Sequence, residues 1–460
     1  MTRLYFDHCL LPDGWAKAVS IDVDAGGQIS AVIQGGKPDD VSFSGAIAMP
    51  GVPNCHSHAF QRAMAGLTEM RGQSDGSGDD SFWTWRDLMY RFVDRITPED
   101  LLAIASQAYV EMLESGFTSV AEFHYVHHAA SHRPFDNIAE MSLAIIQAAR
   151  ETGLGLTLLP VFYESSGFGG AEVGEAQARF ANTPDMFGKL VESATKAAQD
   201  LPNAVVGIAP HSLRAVTPDG LAEILKLSDG PIHIHIAEQQ REVDDCIAWS
   251  GARPVEWLLD HAPVDDRWCL VHATHLTATE LAGLAHSGAV AGLCPITEAN
   301  LGDGIFAAVQ FLDRGGRLAI GSDSNVLISV AEELRLLEYG QRLRDQGRNR
   351  LAKPKGSTSG STGRSLIDQV LAGGAQAAGR AIGKIEPGYR ADIISLDQNH
   401  PSLVARNDDA WLDGWIFAGA NDCVQDVWVG GQHLVRQSRH IAREMTAKSY
   451  ANALKKLVDF

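Results

Sequence analysis

Eight short apolar runs, with stretches of helical pattern among them, constrain this 460-residue chain more than any other feature. They span residues 46–52, 118–123, 155–162, 204–209, 231–236, 268–272, 289–294 and 317–322. Each is long enough for a strand buried on both faces, and such strands read as near-continuous apolar runs. Helical patterns lie among them at 98–115, 138–152, 184–199, 218–227, 240–261, 276–285 and 330–346. Thr97 with Asp100, and Thr277 with Glu280, have the spacing of capping boxes that open two of these helices. Strands alternating with helices at this count predict an α/β fold, a TIM-like parallel (β/α)8 barrel.

The flanks follow another pattern. The first 45 or so residues alternate short strand-like runs with the turn pairs Gly26-Gly27 and Gly35-Gly36. From about residue 385 the same character returns, at 391–396, 422–429 and 433–436, with Gly430-Gly431 between the last two. Two flanks of matching β character predict one small β-sandwich domain built from both termini. The expected organisation is residues 1–48 and 376–460 in that domain, around a barrel at 49–375, with an amphipathic helix over 442–458. Segments 71–80 and 353–363, rich in small and polar residues, read as loops. The first follows barrel strand one and is a lid candidate.

Several functional classes fall away on composition. The formal net charge of −19 argues against nucleic acid or an anionic membrane as partner. It still admits an anionic small molecule, because a few buried arginines can reverse the local field. No apolar run reaches the 18 or so residues of a membrane span. The start of the chain, Met1 to His8, lacks the basic and apolar regions of a signal peptide. Cys9, Cys55, Cys246, Cys269, Cys294 and Cys423 show no paired spacing, which suits a reducing cytoplasm and gives no disulfide framework.

The chemistry begins at His56-Ser57-His58, directly after the first apolar run. Two imidazoles at i, i+2 on a strand share one face, so both can reach one ion. Other ligand types stand at the ends of later runs: His233 and His235 after strand five, His272 after strand six, Asp323 after strand eight. Barrel active sites lie at the C-terminal ends of the strands. Acids and histidines seldom end buried strands by accident.

This pattern resembles the amidohydrolase superfamily, with His-x-His on strand one, His on strands five and six, and Asp on strand eight. The resemblance covers the barrel and the split β domain. It implies a metal held by His56, His58, His235 and Asp323 together with a water. Binuclear members carry a carboxylated Lys at the end of strand four. Here that place reads Gly207-Ile208-Ala209-Pro210-His211, so one metal per subunit is expected. Zinc is the expected ion, and iron or another divalent metal suits the same ligands. His233 reads as a packed residue deeper in the barrel, and His124, His127 and His128 as pocket or loop residues.

A single zinc brings the pKa of bound water towards about 7 and so supplies a nucleophile at neutral pH. Glu238, three residues past His235, fits a proton shuttle beside the metal. Asp323 can accept a proton from the same water, and His272 can polarise the attacked centre or orient the water. The His-x-x-Glu element resembles the deaminase branch, which attacks a C=N carbon and expels ammonia. Substrate-reading candidates follow the strands: Gln61, Arg86, Tyr125, His211 and Arg214. Two arginines over a metal pocket suit a dianion, because guanidinium pairs with carboxylate through a bidentate fork.

A closer resemblance rests on longer motifs. Gly51-Val52-Pro53-Asn54-Cys55-His56-Ser57-His58-Ala59-Phe60-Gln61-Arg62-Ala63 and Phe82-Trp83-Thr84-Trp85-Arg86 are similar to the N-formimino-L-glutamate deiminase family of histidine degradation. Glu122-Phe123-His124-Tyr125 and Pro210-His211-Ser212-Leu213-Arg214 fit it too. The resemblance implies hydrolysis of a formimino C=N to a formyl group and ammonia. It implies that Gln61, Arg86, Tyr125, His211 and Arg214 hold the carboxylates and amide of a dicarboxylate substrate, and it suggests a homodimer. Two other readings stand beside it. A deaminase of a purine, pterin or triazine ring would want aromatic stacking, for which Phe82, Trp83 and Trp85 are available. A metal-dependent binding protein would have no need of Glu238, His272 and Asp323 together.

Overall fold

The computed structural model describes residues 2–69, 82–352 and 360–458. The N-terminal flank supplies β1 (Thr2–Leu11), β2 (Gly14–Val23), β3 (Ile29–Gln34) and β4 (Phe43–Pro50). Parallel strands follow: β5 (Val52–Ser57), β6 (Phe117–His124), β7 (Gly155–Phe162), and the short pieces β8 (Val205–Val206) and β9 (Ala209–Pro210). Then come β10 (Ile232–Ile236), β11 (Trp268–His272), β12 (Val290–Leu293) and β13 (Arg317–Ile320). The C-terminal flank adds β14 (Ile393–Leu396), β15 (Val424–Val429), β16 (Gln432–Arg436) and β17 (Arg439–His440).

Both flanks meet in one sheet, ordered β17-β16-β15-β14-β4-β1-β2-β3. It has its own core, in which Phe6, Ile21, Ile393 and Trp428 are buried together. The parallel strands form two sheets, β5-β6-β7-β8 with β9 beside β7, and β10-β11-β12-β13. Isolated parallel bridges join them. Ile208 pairs with Ile232 and Ser212 with His235 on one side, and Ser57 pairs with Asp323 on the other. The ring closes, and the C-terminal ends of its strands gather at one mouth.

The structure differs from the sequence reading at four places, for reasons of packing or of backbone conformation. Residues 46–52 do not form one strand. The chain leaves β4 at Pro50, passes Gly51, and enters β5, because a Cβ on Gly51 would sit 2.2 Å from Thr118 Cγ2. His56 therefore lies on a barrel strand and His58 just past its end. The run 204–209 breaks into β8 and β9 around Gly207, where a Cβ would meet the Pro231 carbonyl oxygen at 2.2 Å. The pattern over 240–261 is two helices, Gln240–Ser250 and Pro254–His261, parted by Gly251 at φ 78° and reopened by Pro254. Finally, Thr362–Ala378 is a helix, so the loop read over 353–363 ends earlier than expected. Its glycines fit it to the barrel: a Cβ on Gly373 would meet Leu318 O at 2.0 Å.

Local signals hold where packing does not intervene. Both capping boxes form, with Thr97 Oγ1 accepting from Asp100 N and Thr277 Oγ1 from Glu280 N, each at 3.2 Å. All six cysteines are buried and free. Among the described residues no helix is long and apolar enough to cross a membrane. Segment 71–80 and residues 353–359 lie outside the described residues.

Gly51→Ala is expected to destabilise the protein by about 1–3 kcal/mol, the usual cost of overpacking. The check is the denaturant midpoint at constant slope. An unchanged midpoint would mean that the crossing from β4 to β5 does not need a bare Cα.

Candidate active site

Four buried side chains converge at the barrel mouth. His56 comes from β5 and His58 from the turn after it, His235 from β10, and Asp323 from just beyond β13. Asp323 reaches the pair through the strand bridge: its N–H donates to His56 O at 3.0 Å, and its carbonyl accepts from His58 N at 2.9 Å. His56 Nε2 lies 3.2 Å from His58 Nε2 and 3.0 Å from His235 Nε2. Asp323 Oδ1 lies 3.4 Å and 3.3 Å from the two strand-one nitrogens. A tetrahedral ion with bonds of about 2.0–2.1 Å spaces its ligands about 3.3–3.4 Å apart, which is close to this set.

The protonation pattern points the same way. His58 Nδ1 lies 2.9 Å from Phe123 O and His235 Nδ1 3.1 Å from His211 O, so each Nδ1–H is spent on a carbonyl. Both Nε2 atoms then present lone pairs. Burial and the neighbouring imidazoles push His58 down to about 3 and His235 well below its ordinary value. Neutral rings crowd their lone pairs together, and a cation is the occupant that this arrangement favours. Asp323 stays ionised, because His56, His272 and His58 outweigh its burial and hold it well below the usual carboxylate range.

The backbone is bent to deliver these groups. Ala237, His272, Ala273, Asp323 and Asn325 all have φ between 43° and 67° without being glycine. Strain of this kind persists only where the surroundings over-determine it, and it clusters at functional sites.

Beside the cluster stand Glu238 and His272. His272 Nε2 is 3.8 Å from Glu238 Oε1 and 3.7 Å from Asp323 Oδ2. Burial pushes the Glu238 carboxyl up to about 7, against the pull of His272 and Arg214. Glu242 holds the Glu238 turn, accepting from Ala237 N at 3.1 Å and Glu238 N at 3.2 Å.

A cleft opens over these residues, about 610 Å³ with the open solvent of its mouth included. Its wall includes Gln61, Arg86, Tyr125, His211 and Arg214, so the structure brings all five to one pocket. Gln61 Nε2 donates to Tyr125 Oη at 2.9 Å. Arg86 sits 5.5 Å from the Tyr90 ring. Burial works against the Arg214 charge, yet Glu242 and Glu238 keep its pKa above the ordinary value. Of the aromatic stacking candidates, Trp85 lines the cavity; the side chains of Phe82 and Trp83 lie outside the described residues.

The other histidines go elsewhere. His233, two residues before His235 on β10, has its Nε2 2.8 Å from Ala377 O. His127 and His128 bond the carbonyls of Val161 and Ala181. His124 is buried beside His127. None of the four joins the cluster. Tyr90, Tyr163, Phe180 and Thr297 line the cavity without having been singled out from sequence. Tyr163 follows β7 as Tyr125 follows β6, so position at a strand end could have flagged it. The other three carry no such mark.

A model of the amidohydrolase family matches residues 47–434. The chain belongs to the amidohydrolase family. It is 50% identical over its whole length, and that of the relative, to the formimidoylglutamate deiminase of Pseudomonas aeruginosa. A crystal structure of an amidohydrolase from Brucella melitensis superposes with a TM-score of 0.93 at 49% identity, covering 100% of both chains. An adenosine deaminase from Xanthomonas campestris with bound zinc gives 0.79 at 22% identity, over 100% of this chain and 98% of that one, and shares the fold. This amidohydrolase thus joins bridged parallel sheets and a sheet built from both flanks to a buried His, His, His and Asp cluster.

One acid near the site gives a pH test. Burial pushes Glu122 up to about 7, against the hydrogen bond it accepts from Ala59 N at 2.7 Å. A carboxyl raised in the fold contributes stability that is present below its unfolded pKa and lost as pH rises through about 7. Glu122→Gln keeps an acceptor and removes the charge. Its melting temperature relative to wild type is expected to be higher at pH 8 than at pH 5. An equal difference at both pH values would place the Glu122 carboxyl in a well-solvated setting.

Proposed function

We propose that this amidohydrolase is a formimidoylglutamate deiminase, converting N-formimino-L-glutamate and water to N-formyl-L-glutamate and ammonia. One observation carries the reading: a metal-type cluster with a buried acid faces a cavity walled by two arginines, Arg86 and Arg214. The full-length identity to the Pseudomonas aeruginosa enzyme supports it.

His56, His58, His235 and Asp323 would hold one divalent ion, and zinc suits three imidazoles and a carboxylate. When bound, such an ion polarises carbonyl-like centres and brings the pKa of a water towards about 7. Glu238, poised near 7 in its buried seat, is placed to accept a proton from an attacking water and to return one to the departing nitrogen. His272 Nε2, facing both Glu238 and Asp323, orients the attack. Arg86 and Arg214 balance the two carboxylates of the substrate, with Gln61, Tyr125 and His211 filling its remaining polar contacts. The partner is therefore a small dicarboxylate, in spite of the chain's net charge of −19.

The deciding experiment measures ammonia release from N-formimino-L-glutamate against formimino-amino acids lacking the side-chain carboxylate and against ring amidines. The dicarboxylate should be strongly preferred. No release from it, with turnover of a purine or triazine, would overturn the reading. In Glu238→Gln, metal content should stay at the wild-type level while kcat falls about 10²- to 10⁴-fold, the span of general acid–base catalysis. Near-normal turnover, or metal loss, would remove Glu238 from the proton path.

A further inference from the structure

The structure assigns Glu298 as the residue that fixes the ring orientation of His272 and holds a hydrogen on its Nδ1. It lies in Cys294-Pro295-Ile296-Thr297-Glu298, where the chain leaves β12 and turns into the helix Pro295–Leu301. Its side chain is buried. Oε1 accepts the Cys294 N–H at 2.8 Å, which pins the carboxylate to the start of that helix. The same oxygen lies 3.3 Å from His272 Nδ1. An oxygen already accepting one N–H offers its other lone pair to the imidazole, so Nδ1 carries the hydrogen. The opposite nitrogen, Nε2, is then the atom turned towards Glu238 and Asp323.

His272 needs such a lock. Its own φ is 67° and that of Ala273 is 47°, so it stands on a backbone that L residues rarely adopt. Its ring stacks on His235 with an interplanar angle of 14°. Stacking fixes the plane but not the two-fold choice of which edge faces the cavity. A half-turn about Cβ–Cγ would replace Nε2 by Cε1 at the mouth. The Glu298 hydrogen bond selects one of these two arrangements. A carboxylate behind an imidazole sets tautomer and ring direction in the same way at metal sites and in catalytic triads. Glu298 is thus a positioning residue that acts through His272.

The inference rests on the deiminase reading only for the choice of assay substrate, and one arm of its test needs no substrate. Three variants are compared with wild type: Glu298→Ala, Glu298→Gln and His272→Ala, with the double substitution closing a cycle. In Glu298→Ala, kcat should fall about 10- to 100-fold with KM within about twofold and metal content unchanged. Glu298→Gln should recover most of the loss, because a carboxamide oxygen can accept both N–H groups. In the His272→Ala background, Glu298→Ala should cost nothing further, as expected of residues acting as one unit. Long-range ¹⁵N–¹H spectra of histidine-labelled protein should find His272 Nδ1 protonated in wild type and the preference lost in Glu298→Ala. A full additive loss in the His272→Ala background, a Gln variant no better than Ala, or an unchanged His272 spectrum would overturn the assignment. Failure of wild type to release ammonia from N-formimino-L-glutamate would instead strike the proposed function, and the spectra would still decide the role of Glu298.

Discussion

Asn54, Ser322 and Asn325 tie the first barrel strand to the last through buried side-chain hydrogen bonds, and the site hangs on that seam. Asn54 Nδ2 donates to Ser322 Oγ at 2.7 Å, and Ser322 Oγ donates to Asn325 Oδ1 at 2.6 Å. Asn325 Nδ2 in turn donates to Ser57 Oγ, to His58 O and to Asp323 O, at 3.0–3.1 Å. Asn54 Oδ1 accepts from His56 N and Ser322 N. Three of the four ligand-type residues are therefore fixed to one polar network. Each amide uses both its oxygen and its nitrogen, which is the condition under which a buried network rigidifies rather than destabilises.

Desolvation then shapes the chemistry of what the seam positions. With no water to stabilise charge, buried imidazoles lose protons and buried carboxyls keep them, unless a partner intervenes. His58 and His235 are pushed towards neutrality, the form that binds a cation. Glu238 is pushed to about 7, where it can both take and give a proton near neutral pH. The imidazoles of His56, His272 and His58 outweigh the burial of Asp323, and it stays ionised. One physical effect, applied to residues with different neighbours, thus yields a ligand set and a proton carrier from similar groups placed a few ångströms apart.

Much of this could be read along the chain, and the reasons are local. β7 and β11 coincide with the apolar runs at 155–162 and 268–272, because strands buried on both faces carry continuous apolar sequence. The helix Pro98–Ser115 could be read from its cap and its periodicity. Ligand types at strand ends could be read because a barrel presents those ends to one mouth. What could not be read came from contacts distant in sequence. Gly51 parts β4 from β5 because of Thr118, and the Gly-rich helix Thr362–Ala378 packs where Gly373 meets Leu318. Glu242 and Glu298 look like ordinary helix acids, and only the fold sets them behind Glu238 and His272.

The sequence by itself determined the alternation of strands and helices, the strand count of a parallel α/β fold and the donor atoms at the strand ends. These depend on hydrophobic period, on capping and on residue type, all of which act within a few residues. The tertiary structure alone decided which of several histidines face one another. His235 points into the mouth while His233, two residues earlier on the same strand, bonds Ala377 O beneath it. It also decided which acids are stripped of water and how His272 is turned. Orientation and desolvation are properties of what surrounds a side chain, and in a barrel those surroundings come from strands hundreds of residues apart.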